Sequence, residues 1–290
     1  MPLVDPVTMS SSITKGLKSK ASNSSIGSSS STPSPTKQEL QPVQTKQTPS
    51  AQAARYGSLA LLTGVFLASF PALIAKSDDD VERTPVSAMR ITLPVVTAIQ
   101  LGYALLCLPV AGSSSSSSSS SSQQQHHASS GGSKPARKLV RPGEKKLKSS
   151  DGAGGPNVIV ASLLSLLLTA FATIPLYIAM ILFGAPFLTH VPHTLVCAAH
   201  LAALALFPLF YTHGVETAAW AQIASFRAPF DETFGGLVGA VVGAWLGAVP
   251  IPLDWDREWQ KWPVTILCGI YGGYLVGRVV GGTLVFGKRF

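Results

Sequence analysis

The sequence predicts an all-α integral membrane protein of six transmembrane helices, with a disordered N-terminal tail and a disordered cytosolic loop. Three observations predict it. Only 12% of residues are charged, about half the density of a soluble domain, and mean hydropathy is +0.32. The apolar residues gather in six stretches, 57–75, 91–111, 158–188, 194–214, 234–253 and 263–287, each long enough to cross a ~30 Å hydrocarbon core in roughly 18–20 helical residues. Of 22 Lys+Arg and 14 Asp+Glu, Arg278 alone falls inside a stretch. A soluble enzyme is excluded.

In chain order, residues 1–56 are a Ser/Thr/Pro/Gln tail too poor in bulky apolar residues to build a core. No signal-peptide pattern occurs near Met1, so targeting falls to the first span. Residues 57–111 carry spans one and two. Residues 112–157 are low-complexity: ten serines (Ser113–Ser122), a Gln/His patch, then a Lys/Arg cluster from Lys134 to Lys148. Residues 158–290 carry spans three to six. With six spans, both tails and the even-numbered loops share one side, which holds 16 of the 22 basic residues against five on the other. The basic side is the cytosolic one. The net charge of +8 therefore reads as topology rather than nucleic-acid binding, and the opposite loops are too short to fold as catalytic domains.

Span five carries Gly235, Gly239, Gly243 and Gly247, and span six carries Gly269, Gly273, Gly277 and Gly281. Strict four-residue spacing places each row on one helix face. In lipid, small residues at that spacing let backbones approach closely, so the rows pack on each other or offer a groove to a partner. Arg278 is expected to snorkel toward the cytosolic side, where Glu216, Asp231 and Glu232 are available partners. Tyr271, Tyr274 and Arg278 share a face distinct from the glycines.

His193, Cys197 and His200 fall at i, i+4, i+7, but no acidic residue joins them at that depth, and hydrogen bonding to neighbouring helices is the expectation. Cys107, Cys197 and Cys268 have the spacing of neither a disulfide framework nor a zinc site. No nucleophile elbow or phosphate loop occurs. Gln100, His200 and Arg278 would make a sparse polar path for transport. Asp254-Trp255-Asp256 has a D-x-D spacing suited to a divalent cation and diphosphate. The alternative to a binding role is thus a small integral-membrane phosphoethanolamine or glycosyl transferase using Asp254 and Asp256. The same segment also reads as a short amphipathic helix in the interface: Trp255, Trp259 and Trp262 on one face, charges on the other, Asp254 as N-cap and Pro263 opening the next span. No cofactor or metal is expected.

Phe183-Gly184-Ala185-Pro186, Thr194, Gly243-Ala244-Trp245-Leu246-Gly247-Ala248 and the run Pro250-Ile251-Pro252-Leu253-Asp254-Trp255-Asp256-Arg257, followed by Trp259-Gln260 and Trp262-Pro263, closely resemble the PIG-F family. The resemblance covers roughly 158–288. It implies an endoplasmic-reticulum protein of glycosylphosphatidylinositol (GPI)-anchor biosynthesis, acting as a non-catalytic subunit of the PIG-O-like and PIG-G-like ethanolamine-phosphate transferases, with possible contact to the GPI glycolipid. Gly184, Pro186, Gly239, Gly243, Gly247, Asp254, Trp255, Asp256, Arg257, Trp259, Gln260, Trp262, Gly269, Gly273, Gly277 and Arg278 are the candidates for partner or lipid contact.

Overall fold

The computed structural model describes residues 39–75, 83–113 (backbone only at 83 and 84), 157–253, 255 and 257–290. The expectations for 1–38, for most of the serine-rich loop (114–156), and for Asp254 and Asp256 lie outside the described residues.

The described chain is helical. Helix α1 (Pro49–Ile74) starts from Thr48, whose side chain accepts the Ala51 N–H, with Pro at the first position where its missing N–H costs nothing. It thus begins inside the stretch expected to be a tail. Residues 39–47 are also placed. The Leu40 N–H donates to Gln222 Oε1 at 3.1 Å, Val43 N–H to Asp231 Oδ2 at 2.9 Å, and Lys46 N–H to the Cys107 carbonyl at 2.9 Å. Local hydropathy cannot foresee such long-range bonds.

Helices α2 (Arg83–Cys107) and α3 (Val158–Leu182) follow. The fourth column is α4 (Val191–Leu201), a π turn (Ala202–Leu206) and α5 (Phe207–His213). Pro208 explains the irregularity: it has no N–H for the Leu204 carbonyl and its ring crowds the preceding turn. Gln100 Nε2 takes up that carbonyl at 3.1 Å and also reaches Tyr274 Oη at 2.8 Å. Helix α6 (Thr217–Ala224) is short. Helices α7 (Glu232–Ala248) and α8 (Val264–Gly282) close the fold.

α7 and α8 run antiparallel and make the most extensive helix–helix contact. A Cβ on Gly239 would lie 2.7 Å from Gly277 Cα, and one on Gly235 2.8 Å from Gly281 Cα. The two glycine rows face each other from Gly235/Gly281 to Gly247/Gly269, so within this chain they pack intramolecularly. α1 packs on α2 and α8, α2 on α4 and the π turn, and α3 on α4 and α5. Leu62, Met89, Val96, Leu204, Ile270 and Tyr271 share the main buried cluster.

Five helical segments are long and apolar enough to cross a membrane: Pro49–Ile74, Pro85–Cys107, Val158–Leu182, Val191–His213 and Val264–Gly282. α7 is apolar but has 17 residues, because Asp231 caps it at one end and Pro250 stands just beyond the other.

Candidate functional site

Two groupings stand at opposite ends of the bundle. At the end holding the α1 start, the α7 start and the C-terminal part of α8, three charges meet. Arg278 is 0% exposed. Its Nε lies 2.7 Å from Glu232 Oε1, and Arg55 Nε lies 3.1 Å from Glu232 Oε2. The Arg278 guanidinium sits over the Tyr103 ring, 3.5 Å from its centroid, a favourable placement for a desolvated cation. The expectation that Arg278 snorkels to the surface is corrected. Glu232 is brought to it by the α7–α8 pairing, and an ion pair inside the bundle replaces solvation by water. Next to it, Asp231 Oδ1 caps α7 by accepting the Thr233 and Phe234 N–H groups, both at 2.9 Å.

At the other end, the segments that carry the family resemblance converge. Trp262 Nε1 donates to Thr194 Oγ1 at 3.1 Å, and Thr194 Oγ1 is itself 3.2 Å from the Pro186 carbonyl. This joins the α8 start, the α4 start and the turn after α3. Gln260 Nε2 donates to the carbonyls of Pro250 and Leu253, and the Arg257 N–H donates to Gln260 Oε1 at 3.3 Å. That network pulls the α7–α8 connection into a folded loop with one 3-10 turn, Glu258–Gln260. The amphipathic α-helix expected here is corrected. The glycine-packed helices hold the loop ends close together, and Gln260 folds the chain back on itself. Trp255 and Trp259 still meet edge to face, centroids 5.8 Å apart, while Trp262 turns into the bundle.

Beside this loop lies an apolar groove of about 660 Å³, walled by Met180, Phe183, Ala185 and Leu176 on one side and by Val241, Trp245, Ala248, Pro252 and Trp262 on the other. All three resemblance segments contribute to its walls.

Of the candidate residues, Gly184, Trp255 and Arg257 are exposed, and Pro186, Trp259, Gln260 and Trp262 are half-buried. Gly239, Gly243, Gly247, Gly269, Gly273 and Gly277 lie in the α7–α8 contact, and Arg278 is buried at the far end. Gln100, Tyr103, Arg55 and Met180 were missed as participants. Gln100 and Tyr103 carried no local signal, whereas Pro208 hinted that some buried donor must serve Leu204. His200 Nε2 lies 3.2 Å from Thr92 Oγ1 and Nδ1 lies 2.9 Å from the Val196 carbonyl, which ties α4 to α2. Among the described residues, no three of His, Cys, Asp and Glu gather to hold a metal ion.

Fold and site together define a helical membrane protein built on a glycine-packed hairpin, whose shared motifs shape a loop and a groove. The profile of the GPI biosynthesis protein family Pig-F matches residues 60–282, and the chain belongs to that family. It is 55% identical over 305 aligned positions to "Glycosylphosphatidylinositol anchor biosynthesis protein 11" of Neurospora crassa, covering 100% of both chains. The like-named protein of Pyricularia oryzae is 48% identical, with 98% of this chain and 96% of that one covered. A mouse protein named "GPI ethanolamine phosphate transferase, stabilizing subunit" is 33% identical over 118 residues, 39% of this chain and 54% of its own. No solved structure matches.

Proposed function

We propose that this chain is a non-catalytic membrane subunit of GPI-anchor biosynthesis that binds and stabilises the ethanolamine-phosphate transferases of PIG-O-like and PIG-G-like type in the endoplasmic-reticulum membrane. The observation that carries the reading is the convergence of the family's motif segments on packing and loop geometry. Thr194, Gln260 and Trp262 spend their polar groups on one another and on backbone carbonyls, which suits a shaped contact surface. The name of the mouse relative supports the same role. In this reading Gly184, Pro186, Asp254, Trp255, Asp256, Arg257 and Trp259 form the partner-facing surface. Gln260, Trp262, the glycine rows and Arg278 hold that surface in place.

The chain crosses the membrane six times with both termini cytosolic. α7 lies alongside α8 through the whole length of the glycine contact, from Gly235 to Gly247, and so occupies the depth that α8 spans. Six antiparallel columns bring both chain ends to the side rich in Lys and Arg.

Co-purification in mild detergent tests the role. A tagged chain is expected to recover an ethanolamine-phosphate transferase. The Trp255→Ala/Arg257→Ala/Trp259→Ala variant should recover much less while eluting as the same folded species. Recovery of the wild-type chain with no transferase, or undiminished recovery by the triple variant, would overturn it.

A further inference from the structure

The groove between α3 and α7 has walls of side-chain carbon, with the nearby polar groups already engaged. The Trp262 indole N–H is bonded to Thr194, the Gly184 N–H to the Ile181 carbonyl and the Ala185 N–H to the Met180 carbonyl, both at 2.9 Å. No charged residue lines it. The groove therefore recognises hydrocarbon. It also lies at bilayer depth, since one wall is the last turns of α3, which is long and apolar enough to span, and the other is α7.

Size separates the hydrocarbon ligands a membrane can offer. One α-helical turn with its side chains, about 10 Å across and 5.4 Å long, displaces roughly 400 Å³. A volume of about 660 Å³ is thus matched to little more than one such turn, while a spanning helix has five or six. A thin, flexible chain fits; a helix seated along its length does not. The gap is moreover a missing contact in the bundle. α3 packs on α4, the π turn and α5 but scarcely on α7. Left empty at this depth, its walls would forfeit their dispersion contacts, and water has no partners there. Val241, Val242 and Trp245 on the α7 wall are exposed, Trp245 by 67%, so the groove opens sideways to the surrounding lipid.

We propose that this groove holds one acyl chain of a bilayer phospholipid, a structural lipid that completes the packing between α3 and α7. The site is independent of which transferase the chain serves. It is tested on the full chain purified in mild detergent from phosphatidylcholine-containing membranes, by native mass spectrometry with identification of retained lipid. One phosphoglyceride per chain is expected to survive. The Ala244→Phe/Ala248→Phe variant, which fills the groove, should lower its occupancy about tenfold, the loss of roughly two buried methylene contacts. A second measurement does not depend on that variant folding: p-benzoylphenylalanine placed at Val241 should, on irradiation, yield an adduct with the mass of a phospholipid. Any of four results overturns the proposal: a cross-link to a partner polypeptide, a cross-link to a second copy of this chain, an adduct with a glycolipid instead, or a purified chain free of phospholipid.

Discussion

Gly243→Ala isolates the α7–α8 contact with one methyl group. A Cβ there would overlap the Gly269 carbonyl and lie 2.9 Å from Gly273 Cα. Both are backbone atoms in helix interiors that cannot rotate away, so the helices must separate. Alanine is the better helix former by about 0.8–1.0 kcal/mol, while overpacking of a close contact typically costs about 1–3 kcal/mol. Here the gap is shorter than van der Waals contact to carbonyl and Cα together, so the upper part of that range applies and a net loss of about 1–2 kcal/mol follows. That is roughly a five- to thirtyfold fall in the folded-to-unfolded ratio. The control is Gly272→Ala, on the same helix, where a Cβ meets nothing within 4 Å; propensity alone then acts and stability holds or rises. Thermal unfolding in detergent, followed by size-exclusion of the surviving folded species, reads both. Equal transitions for the two variants would refute the close-contact reasoning.

Three more perturbations probe the buried polar groups. Glu232→Gln leaves the Arg278 and Arg55 cations without their carboxylate and should cost about 3–5 kcal/mol. Arg278→Met, which leaves Glu232 still paired with Arg55 at 3.1 Å, should cost clearly less, a ranking read in the same unfolding assay. Gln100→Leu strips donors from the Leu204 carbonyl and Tyr274 Oη and should lower stability by about 1–3 kcal/mol. Trp262→Phe removes only the bond to Thr194 and should cost about 0.5–1.5 kcal/mol, measured as a modest drop in the unfolding transition with the same elution volume.

How far the sequence reaches is clearest in α7 and α8. Four-residue glycine spacing announces a close helix contact, and reading it needs only helix geometry. Which surface would meet it was not legible, because two equal rows fit each other and a foreign helix equally well on spacing alone. Arg278 shows the same boundary. Its charge inside a span demanded a partner, and Glu232 was among the available ones. That the pair is sealed in by Tyr103 and Arg55 depends on α1 and α2 lying against α8, a long-range fact. The Pro208 irregularity is partly local: a missing N–H predicts a disturbed turn, while Gln100 as the donor lies about a hundred residues away (|i−j| 104). The tryptophan loop misled for a physical reason. Its i, i+4, i+7 spacing fits a helix, but Gln260 and the tightly joined α7–α8 ends fold it otherwise. The groove was invisible in the sequence because it is a gap between helices, a product of packing and not of any residue pattern.

The central claim is that this chain acts through contact and not through chemistry of its own. The most direct test is complementation in cells lacking it, with transferase abundance and ethanolamine-phosphate transfer to GPI precursors measured side by side. Loss of the chain should lower both in parallel, and an Asp254→Asn/Asp256→Asn variant that keeps the transferase bound should restore both. A variant that restores abundance but not transfer, or a purified chain that transfers ethanolamine phosphate with no companion, would contradict the account.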